Sequence, residues 1–249
     1  MDLGLTGRVA LVTGAARGIG AAIAAGLARE GCDLALLDTD IGQEMEGVVA
    51  EVEDLGRRAL PAAADVRDFG RAEEVVAEVV ERFGGLDILV CNAGITRDAV
   101  VWKMDEAGWD DVLDVNLKGC FTYAHAAAPV LRERGWGRIV AVASINGLRG
   151  KFGQANYSAS KAGLIGLAKT LARELGRSGV TVNVVAPGMV LTDMARELPE
   201  RFLDAARAET VLDRLATPGD VASLVTFLCS TAAGHITGEV VRVDGGQRM

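Results

Sequence analysis

The sequence predicts a doubly wound α/β fold, in which a parallel sheet of about seven strands carries helices on both faces. Short apolar runs recur along the 249 residues, and amphipathic stretches of helical period separate them. The runs are mostly continuous rather than alternating, as strands are when both faces of a sheet are covered. A glycine-rich turn follows the first run, at the edge where such sheets bind ligands.

The predicted elements alternate between strand and helix along the chain. Strands are predicted at 8–13, 33–37, 58–64, 86–91, 138–143, 180–185 and 239–243, with 58–64 and 239–243 as the weaker patterns. Helical patterns lie at 18–30, 42–56, 68–83, 105–134, 156–176 and 219–231. This alternation predicts right-handed crossovers and parallel strands. No linker or change in composition divides the chain, so residues 1–249 are predicted to form one domain.

Composition excludes several classes of function. Lys and Arg number 26 against 34 Asp and Glu, a net charge of −8 with no basic block, which argues against nucleic-acid or anionic-membrane partners. The two His and four scattered Cys form no recognisable metal site or disulfide framework. The longest uncharged run, 221–238, is too polar to span a membrane, and the N-terminus does not resemble a signal peptide. We therefore expect a cytoplasmic protein.

The turn after the first strand contains Gly14, Gly18 and Gly20. A glycine loop at this place presents backbone N–H groups and a helix N-terminus to a pyrophosphate, and Arg17 and Ile19 lie in the same loop. The spacing is not the commoner G-x-G-x-x-G, so an ordinary turn explains the glycines nearly as well when they are taken alone.

Asp38 strengthens the prediction of a dinucleotide site. It ends the second strand, where a carboxylate can accept hydrogen bonds from both adenosine ribose hydroxyls. The same charge repels a 2′-phosphate, Thr39 supplies no positive charge, and Asp40 adds a negative one. Arg17 is the counter-evidence, because it can contact a 2′-phosphate in some arrangements. The sequence therefore predicts NAD as the cofactor, with NADP as the alternative.

Two further loops follow predicted strands. Asp65 and Val66 come after the third strand, where they are expected to flank an adenine. Asn92, Ala93 and Gly94 come after the fourth, where small residues again let a ligand approach the backbone.

Tyr157 and Lys161 are four residues apart, so they share a helix face. Lowering a tyrosine pKa from ~10 to ~7 requires ~4 kcal/mol, and an ammonium ~5 Å away supplies ~3 kcal/mol at an effective dielectric of ~20. An arbitrary pair of this spacing is more often a surface feature. Ser144 changes that balance, because it ends the fifth strand at the same sheet edge and can bond a substrate oxygen. Asn116 lies within a predicted helix, where it has no obvious role.

These motifs together resemble the short-chain dehydrogenase/reductase family over essentially the whole chain. They are the loop from Thr13 to Gly20, Asn92–Gly94, Asn116, Ser144, Tyr157-x-x-x-Lys161 and Pro187–Gly188. The resemblance implies that Tyr157 is the general acid/base, and that Lys161 lowers its pKa and holds the nicotinamide ribose. It further implies that Ser144 orients the carbonyl, and that Asn116 opens its helix to a water.

The same resemblance extends to the end of the chain. It implies that Pro187, Gly188, Val190 and Thr192 bind the nicotinamide half of the cofactor, Thr192 through the carboxamide. The segment 189–215 is expected to form a lid over the substrate. A homotetramer is implied, built partly on the helix at 156–176 and partly on the C-terminal strand.

Within the family, residues 92–98, 157–166 and 182–188 are similar to 3-oxoacyl-carrier-protein and acetoacetyl-CoA reductases. Those enzymes generally use NADPH, whereas Asp38 favours NAD and therefore oxidation of a secondary alcohol. The expected substrate is a 3-hydroxyacyl or 3-oxoacyl thioester, or a cyclic alcohol. Lys151, Phe152 and Gln154 are candidates for its pocket.

Three other readings stay open or are disfavoured. The first is an NADPH-dependent 3-oxoacyl-carrier-protein reductase of fatty-acid synthesis. The second is a non-catalytic dinucleotide sensor, against which the intact Ser144, Tyr157 and Lys161 argue. A serine hydrolase using Ser144 is disfavoured because no Gly-x-Ser-x-Gly surrounds it.

Overall fold

The computed structural model describes residues 2–192, 195 and 199–249. Its strands are β1 (Val9–Thr13), β2 (Asp33–Asp38), β3 (Ala59–Ala63), β4 (Ile88–Cys91), β5 (Gly137–Val142), β6 (Val180–Pro187) and β7 (Val240–Val243). They form one seven-stranded sheet in the order β3-β2-β1-β4-β5-β6-β7, and every pairing is parallel. The order reverses between β1 and β4, which is where doubly wound sheets open a ligand crevice at their carboxyl edge.

The described residues form the helices α1 (Gly18–Arg29), α2 (Gln43–Asp54), α3 (Phe69–Phe83), α4 (Glu106–Leu113), α5 (Gly119–Arg134), α6 (Asn146–Arg149), α7 (Ala155–Leu175), α8 (Glu200–Ala208) and α9 (Pro218–Cys229). Residues of α1, α2 and α9 form one hydrophobic core with the sheet, and residues of α3, α5 and α7 form the other. No helix among the described residues is long and apolar enough to cross a membrane.

The predicted fold is confirmed, but the structure adds two helices that the sequence did not predict, α6 and α8, and divides one predicted helix. The stretch predicted as a single helix at 105–134 consists of α4, a π-helical turn over Asp114–Lys118, and α5. The cause is Asn116, whose buried side chain bonds the backbone of Ile95 instead of lying on a regular helix surface. In the predicted lid at 189–215, the structure describes 189–192, 195 and 199–215, which include α8, and the rest lies outside the described residues.

Candidate active site

The glycine loop between β1 and α1 has a backbone that other residues would strain. Gly14 has a φ of +65° and Gly18 one of +58°, both in the left-handed region. A Cβ atom on Gly20 would overlap the carbonyl oxygen of Gly14. Arg17 is the extended residue before α1, and Ile19 packs partly against the core. The loop therefore exposes backbone N–H groups next to a helix N-terminus, as an anion site requires.

Asp38 ends β2 beside this loop. One oxygen of its carboxylate accepts a hydrogen bond from the N–H of Ala16 at 3.1 Å, and the other accepts from the N–H of Thr39 at 2.8 Å. The guanidinium of Arg17 lies 3.6 Å from the carboxylate of Glu44, and both of these side chains are exposed. The structure thus places Asp38, the predicted ribose-binding residue, at the glycine loop, and it places Arg17 beside Glu44.

Asp65 and Val66 follow β3, as predicted, and their side chains have local partners. The carboxylate of Asp65 accepts from the guanidinium of Arg67 at 2.7 Å, and this bond is the main reason that its pKa is lowered. Val66 is buried, and a Cβ atom added to Gly119 would meet its side chain at 2.6 Å. The side chain of Val66 therefore packs in the hydrophobic core.

Asn92 and Ala93 connect the end of β4 to the glycine loop. The amide of Asn92 donates to the carbonyls of Thr13 at 3.0 Å and Gly14 at 2.9 Å. The hydroxyl of Thr13 accepts from the N–H groups of Asn92 at 3.0 Å and Ala93 at 3.1 Å. At Gly94, an added Cβ atom would lie 3.2 Å from the Nζ of Lys161. Because glycine has no side chain, the space next to this ammonium stays free.

Tyr157 lies in the first turn of α7, with Lys161 one turn further along. The Lys161 side chain is buried, and its Nζ lies 5.6 Å from the centre of the Tyr157 ring. The Nζ donates a hydrogen bond of 2.8 Å to the carbonyl of Val142, the last residue of β5. The predicted pair is therefore present on one helix face, and the ammonium is held against the end of the sheet.

Ser144 lies two residues after β5, and its hydroxyl accepts from the N–H of Asn146 at 3.1 Å. Asn116 reaches the same region from the π-helical turn. Its amide accepts from the N–H of Ile95 at 2.8 Å and donates to the carbonyl of Ile95 at 3.0 Å and to the hydroxyl of Ser160 at 3.1 Å. Ser160 lies on α7, so Asn116 fastens the loop after β4 to the helix that carries Tyr157.

The loop after β6 forms the other wall of the crevice. Pro187 ends the strand, Gly188 follows it, and the side chain of Val190 is buried. A Cβ atom added to Gly18 would meet the methyl group of Thr192 at 3.4 Å. Thr192 therefore faces the glycine loop across the crevice.

Burial dominates the ionisation of the Tyr–Lys pair. It raises the pKa of Tyr157, a hydrogen bond from Ser144 lowers that pKa, and the charge of Asp98 raises it. Burial also lowers the pKa of Lys161 to about 8. Burial is the largest influence on the pKa of Tyr157 and raises it, so the lowering by Lys161 that the family resemblance implies stays a prediction.

These residues fit a nicotinamide dinucleotide. A cradle that a Cβ atom at Gly14 or Gly20 would fill lies at the start of α1, with a carboxylate beside it. A buried ammonium and a hydroxyl lie further along the same crevice at Lys161 and Ser144. The glycine loop and Asp38 would hold the adenosine half, and Lys161 and Thr192 the nicotinamide half.

Comparison with known proteins shows the family of the chain. A family model described as enoyl-(acyl carrier protein) reductase matches residues 14–248. The chain is 43% identical over 240 residues to a 3-oxoacyl-(acyl-carrier-protein) reductase of Staphylococcus epidermidis, covering 96% of this chain and 98% of that one. It is 42% identical over 243 residues to the protein of the same name from Thermotoga maritima, covering 97% and 98%. The chain belongs to the short-chain dehydrogenase/reductase family.

A solved structure supports the assignment at the level of the whole fold. A protein of Sinorhizobium meliloti 1021, provisionally described as a short-chain alcohol dehydrogenase, superposes with a TM-score of 0.95 at 37% identity. The match covers 99% of this chain and 98% of that chain. As a short-chain dehydrogenase/reductase, the protein is an oxidoreductase that interconverts an alcohol and a ketone with a nicotinamide dinucleotide.

Sequence reasoning missed two side chains of this short-chain dehydrogenase/reductase site, Asp98 and Asn146. Both contact Gln154, which the sequence singled out only as a pocket candidate. The other two pocket candidates, Lys151 and Phe152, are exposed. Asn146 belongs to no recognisable motif. Asp98 ends the stretch 92–98, whose resemblance to thioester reductases gave this residue no role of its own, so the positions after β4 and β5 were the available signal.

Proposed function

We propose that the protein interconverts 3-hydroxyacyl and 3-oxoacyl thioesters with NAD(H). The proposal rests on the convergence of Ser144, Tyr157 and Lys161 at the carboxyl edge of the sheet. The thioester substrate is supported by the relatives named as 3-oxoacyl-(acyl-carrier-protein) reductases.

The hydroxyl groups of Tyr157 and Ser144 have different roles at the substrate oxygen. Tyr157 donates its proton to the ketone oxygen during reduction and takes it back during oxidation, while Ser144 bonds the same oxygen. The raised pKa of Tyr157 keeps the phenol protonated at neutral pH, which suits the donor role. A nicotinamide held by Lys161 and Thr192 would supply or accept the hydride. Lys161 holds a positive charge beside the phenol.

The choice of NAD rests on Asp38. Its carboxylate lies at the glycine loop, where it is placed to accept from ribose hydroxyls and to repel a 2′-phosphate. Arg17, the residue that argued for NADP in the sequence, is 3.6 Å from Glu44. The second candidate is an NADPH-linked 3-oxoacyl-carrier-protein reductase, which the names of the relatives favour. Turnover of one thioester with each of the two cofactors distinguishes these candidates.

The test of catalysis is the substitution Tyr157→Phe, assayed with acetoacetyl-CoA and 3-hydroxybutyryl-CoA. We expect turnover to fall by about 10³-fold or more, because a positioned acid/base contributes on the order of 10²–10⁴. Binding of NADH, followed by its fluorescence, serves as the control and is expected to be retained. Full turnover by the Tyr157→Phe protein would contradict the catalytic assignment.

A cytoplasmic location and a homotetrameric assembly complete the proposal. Both rest on the family resemblance, and the assembly is also supported by exposed aromatic side chains at Trp109 of α4 and Phe121 of α5.

A further inference from the structure

Two loops at the mouth of the crevice are joined by backbone hydrogen bonding. Ala99, in the loop after β4, forms a parallel bridge with Gln154, the residue before α7. The N–H of Ala99 donates to the carbonyl of Gly153 at 2.9 Å. The loop that follows β4 is thus attached to the residue that begins the helix of Tyr157.

The side chain of Gln154 extends this connection to Ser144. It is only 6% exposed, and its amide group donates to the carboxylate of Asp98 at 2.9 Å. Its carbonyl oxygen accepts from the amide of Asn146 at 3.0 Å, and the backbone N–H of Asn146 donates to the hydroxyl of Ser144 at 3.1 Å. A continuous path of hydrogen bonds therefore runs from Asp98 to Ser144.

The two hydrogen bonds of the Gln154 side chain require a primary amide, which can donate one bond and accept the other. The carboxylate of Asp98 can only accept, so Gln154 must present its NH2 group to it and its oxygen to Asn146. An ionised Glu in the same place can accept from Asn146 but cannot donate to Asp98. A Leu of similar size makes neither bond.

We propose that Gln154 is a positioning residue, which joins the loops after β4 and β5 and thereby holds Ser144 and Asp98 in place around Tyr157. The inference rests on the proposed function for its kinetic test. Among the described residues, three polar or charged groups surround the phenol of Tyr157. Asp98 approaches from the loop after β4, Ser144 from the loop after β5, and Lys161 from the next turn of α7.

The kinetic experiment compares Gln154→Leu with Gln154→Glu. We expect Gln154→Leu to lower kcat about tenfold, the rate equivalent of one hydrogen bond to a charged group, while the KM for NADH changes less than about twofold. Gln154→Glu has a distinctive pH dependence. At low pH the introduced Glu and Asp98 can share a proton, which restores the hydrogen bond between them. The kcat of Gln154→Glu relative to wild type should therefore recover as the pH falls, whereas the kcat of Gln154→Leu should not.

The matched control is Ser223→Ala, which removes a side-chain hydrogen bond to Gly219 on α9 and is expected to leave kcat unchanged. Wild-type kcat in Gln154→Leu overturns the positioning role. A loss in both Gln154 variants with no recovery of Gln154→Glu at low pH also overturns it, because that result assigns the loss to packing.

A second readout does not depend on turnover. Tyr123 and Tyr157 are the two tyrosines, and in a Tyr123→Phe background the absorbance of tyrosinate reports Tyr157 alone. Asp98→Asn should lower the pKa of Tyr157, because the Asp98 charge raises it. In a Ser144→Ala background, where the opposing bond from Ser144 is absent, Gln154→Leu should shift the pKa in the same direction by releasing Asp98. An unchanged titration of Gln154→Leu in that background overturns the inference. If wild type turns over no thioester, the proposed function fails and this titration still decides the role of Gln154.

Discussion

The phenol of Tyr157 is partly enclosed by protein, and its ionisation is the balance of two contacts and burial. Burial and the charge of Asp98 raise its pKa, while the hydrogen bond from Ser144 lowers it. In the proposed mechanism Ser144 therefore has two effects: it bonds the substrate oxygen, and its hydrogen bond eases the loss of the phenol proton.

The substitution Ser144→Ala tests both effects. We expect kcat to fall by about 10²-fold, and the pKa of Tyr157 to rise because the bond that lowers it is lost. Alcohol oxidation requires the phenolate, so its pH profile should move to more alkaline pH. The measurement is kcat for oxidation against pH. Ser144→Thr keeps a hydroxyl and should keep the wild-type midpoint; an unshifted midpoint in Ser144→Ala would refute the contact with Tyr157.

Asp38 is predicted to set the choice of cofactor. In Asp38→Asn we expect the ratio of kcat/KM for NADP to that for NAD to rise at least about tenfold, because two unit charges ~5 Å apart repel by up to ~3 kcal/mol before solvent screening. Asp54→Asn makes the same charge change at the far end of α2 and should leave the ratio unaltered. A wild-type protein that prefers NADP would show that Asp38 does not have this role.

At the scale of elements, most of the secondary structure was predictable because its signals are local. β1, β2 and β5 are continuous apolar runs, and the predicted bounds lie within a residue or so of the observed ones. The π-helical turn was not predictable, since its cause is a set of bonds between Asn116 and Ile95, twenty-one positions earlier. Helical periodicity is the same on either side of such a turn.

The start of α9 offers a test of stability. Thr217 and Asp220 form a reciprocal capping box, and the Asp220 carboxylate also accepts from Arg214 at 2.8 Å. The bonds from Arg214 and Thr217 hold the pKa of Asp220 well below its usual range. An acid with a lowered folded-state pKa stabilises the fold at pH values above its unfolded pKa, and the stabilisation is lost as the pH falls through the folded value.

Asp220→Asn is therefore expected to lower the free energy of unfolding by about 1–2 kcal/mol at pH 7, as the loss of a helix cap does. The difference from wild type should shrink below pH ~4, where the unfolded carboxyl takes up a proton. Urea unfolding of both proteins at pH 7 and below pH ~4 measures the difference in the free energy of unfolding. Asp213→Asn, outside the capping box, should have little effect, and an equal loss for Asp220→Asn at both pH values would argue against the electrostatic cause.

At the scale of the whole molecule, the sheet places the predicted site residues that follow its strands at one edge. The carboxyl ends of β1, β2, β4, β5 and β6 bring the glycine loop, Asp38, Asn92, Ser144 and Pro187 to the same crevice. The similarity to a solved structure at a TM-score of 0.95 with 37% identity shows how strongly this architecture is preserved when most side chains differ.

The predicted tetramer is tested through an exposed aromatic residue. Phe121 of α5 is 45% exposed and lies 6.2 Å, ring centre to ring centre, from Phe69 of α3, which is also partly exposed. We expect native mass spectrometry to show a tetramer for wild type and smaller species for Phe121→Glu, because a buried charge at an interface is costly. Leu55→Glu, an exposed apolar residue after α2, should remain tetrameric. A monomeric wild type would contradict the prediction.

The sequence by itself determined the class of fold, the glycine loop, the position of Asp38 at the end of β2, and the Tyr157–Lys161 pair. All of these depend on residues close together in the chain or on the period of a single element. The tertiary structure alone decided which partners those side chains have. Lys161 bonds Val142 across nineteen positions, and Gln154 bonds Asp98 across fifty-six. Such contacts arise where loops from separate strands meet at one sheet edge, and no local pattern in the chain specifies them.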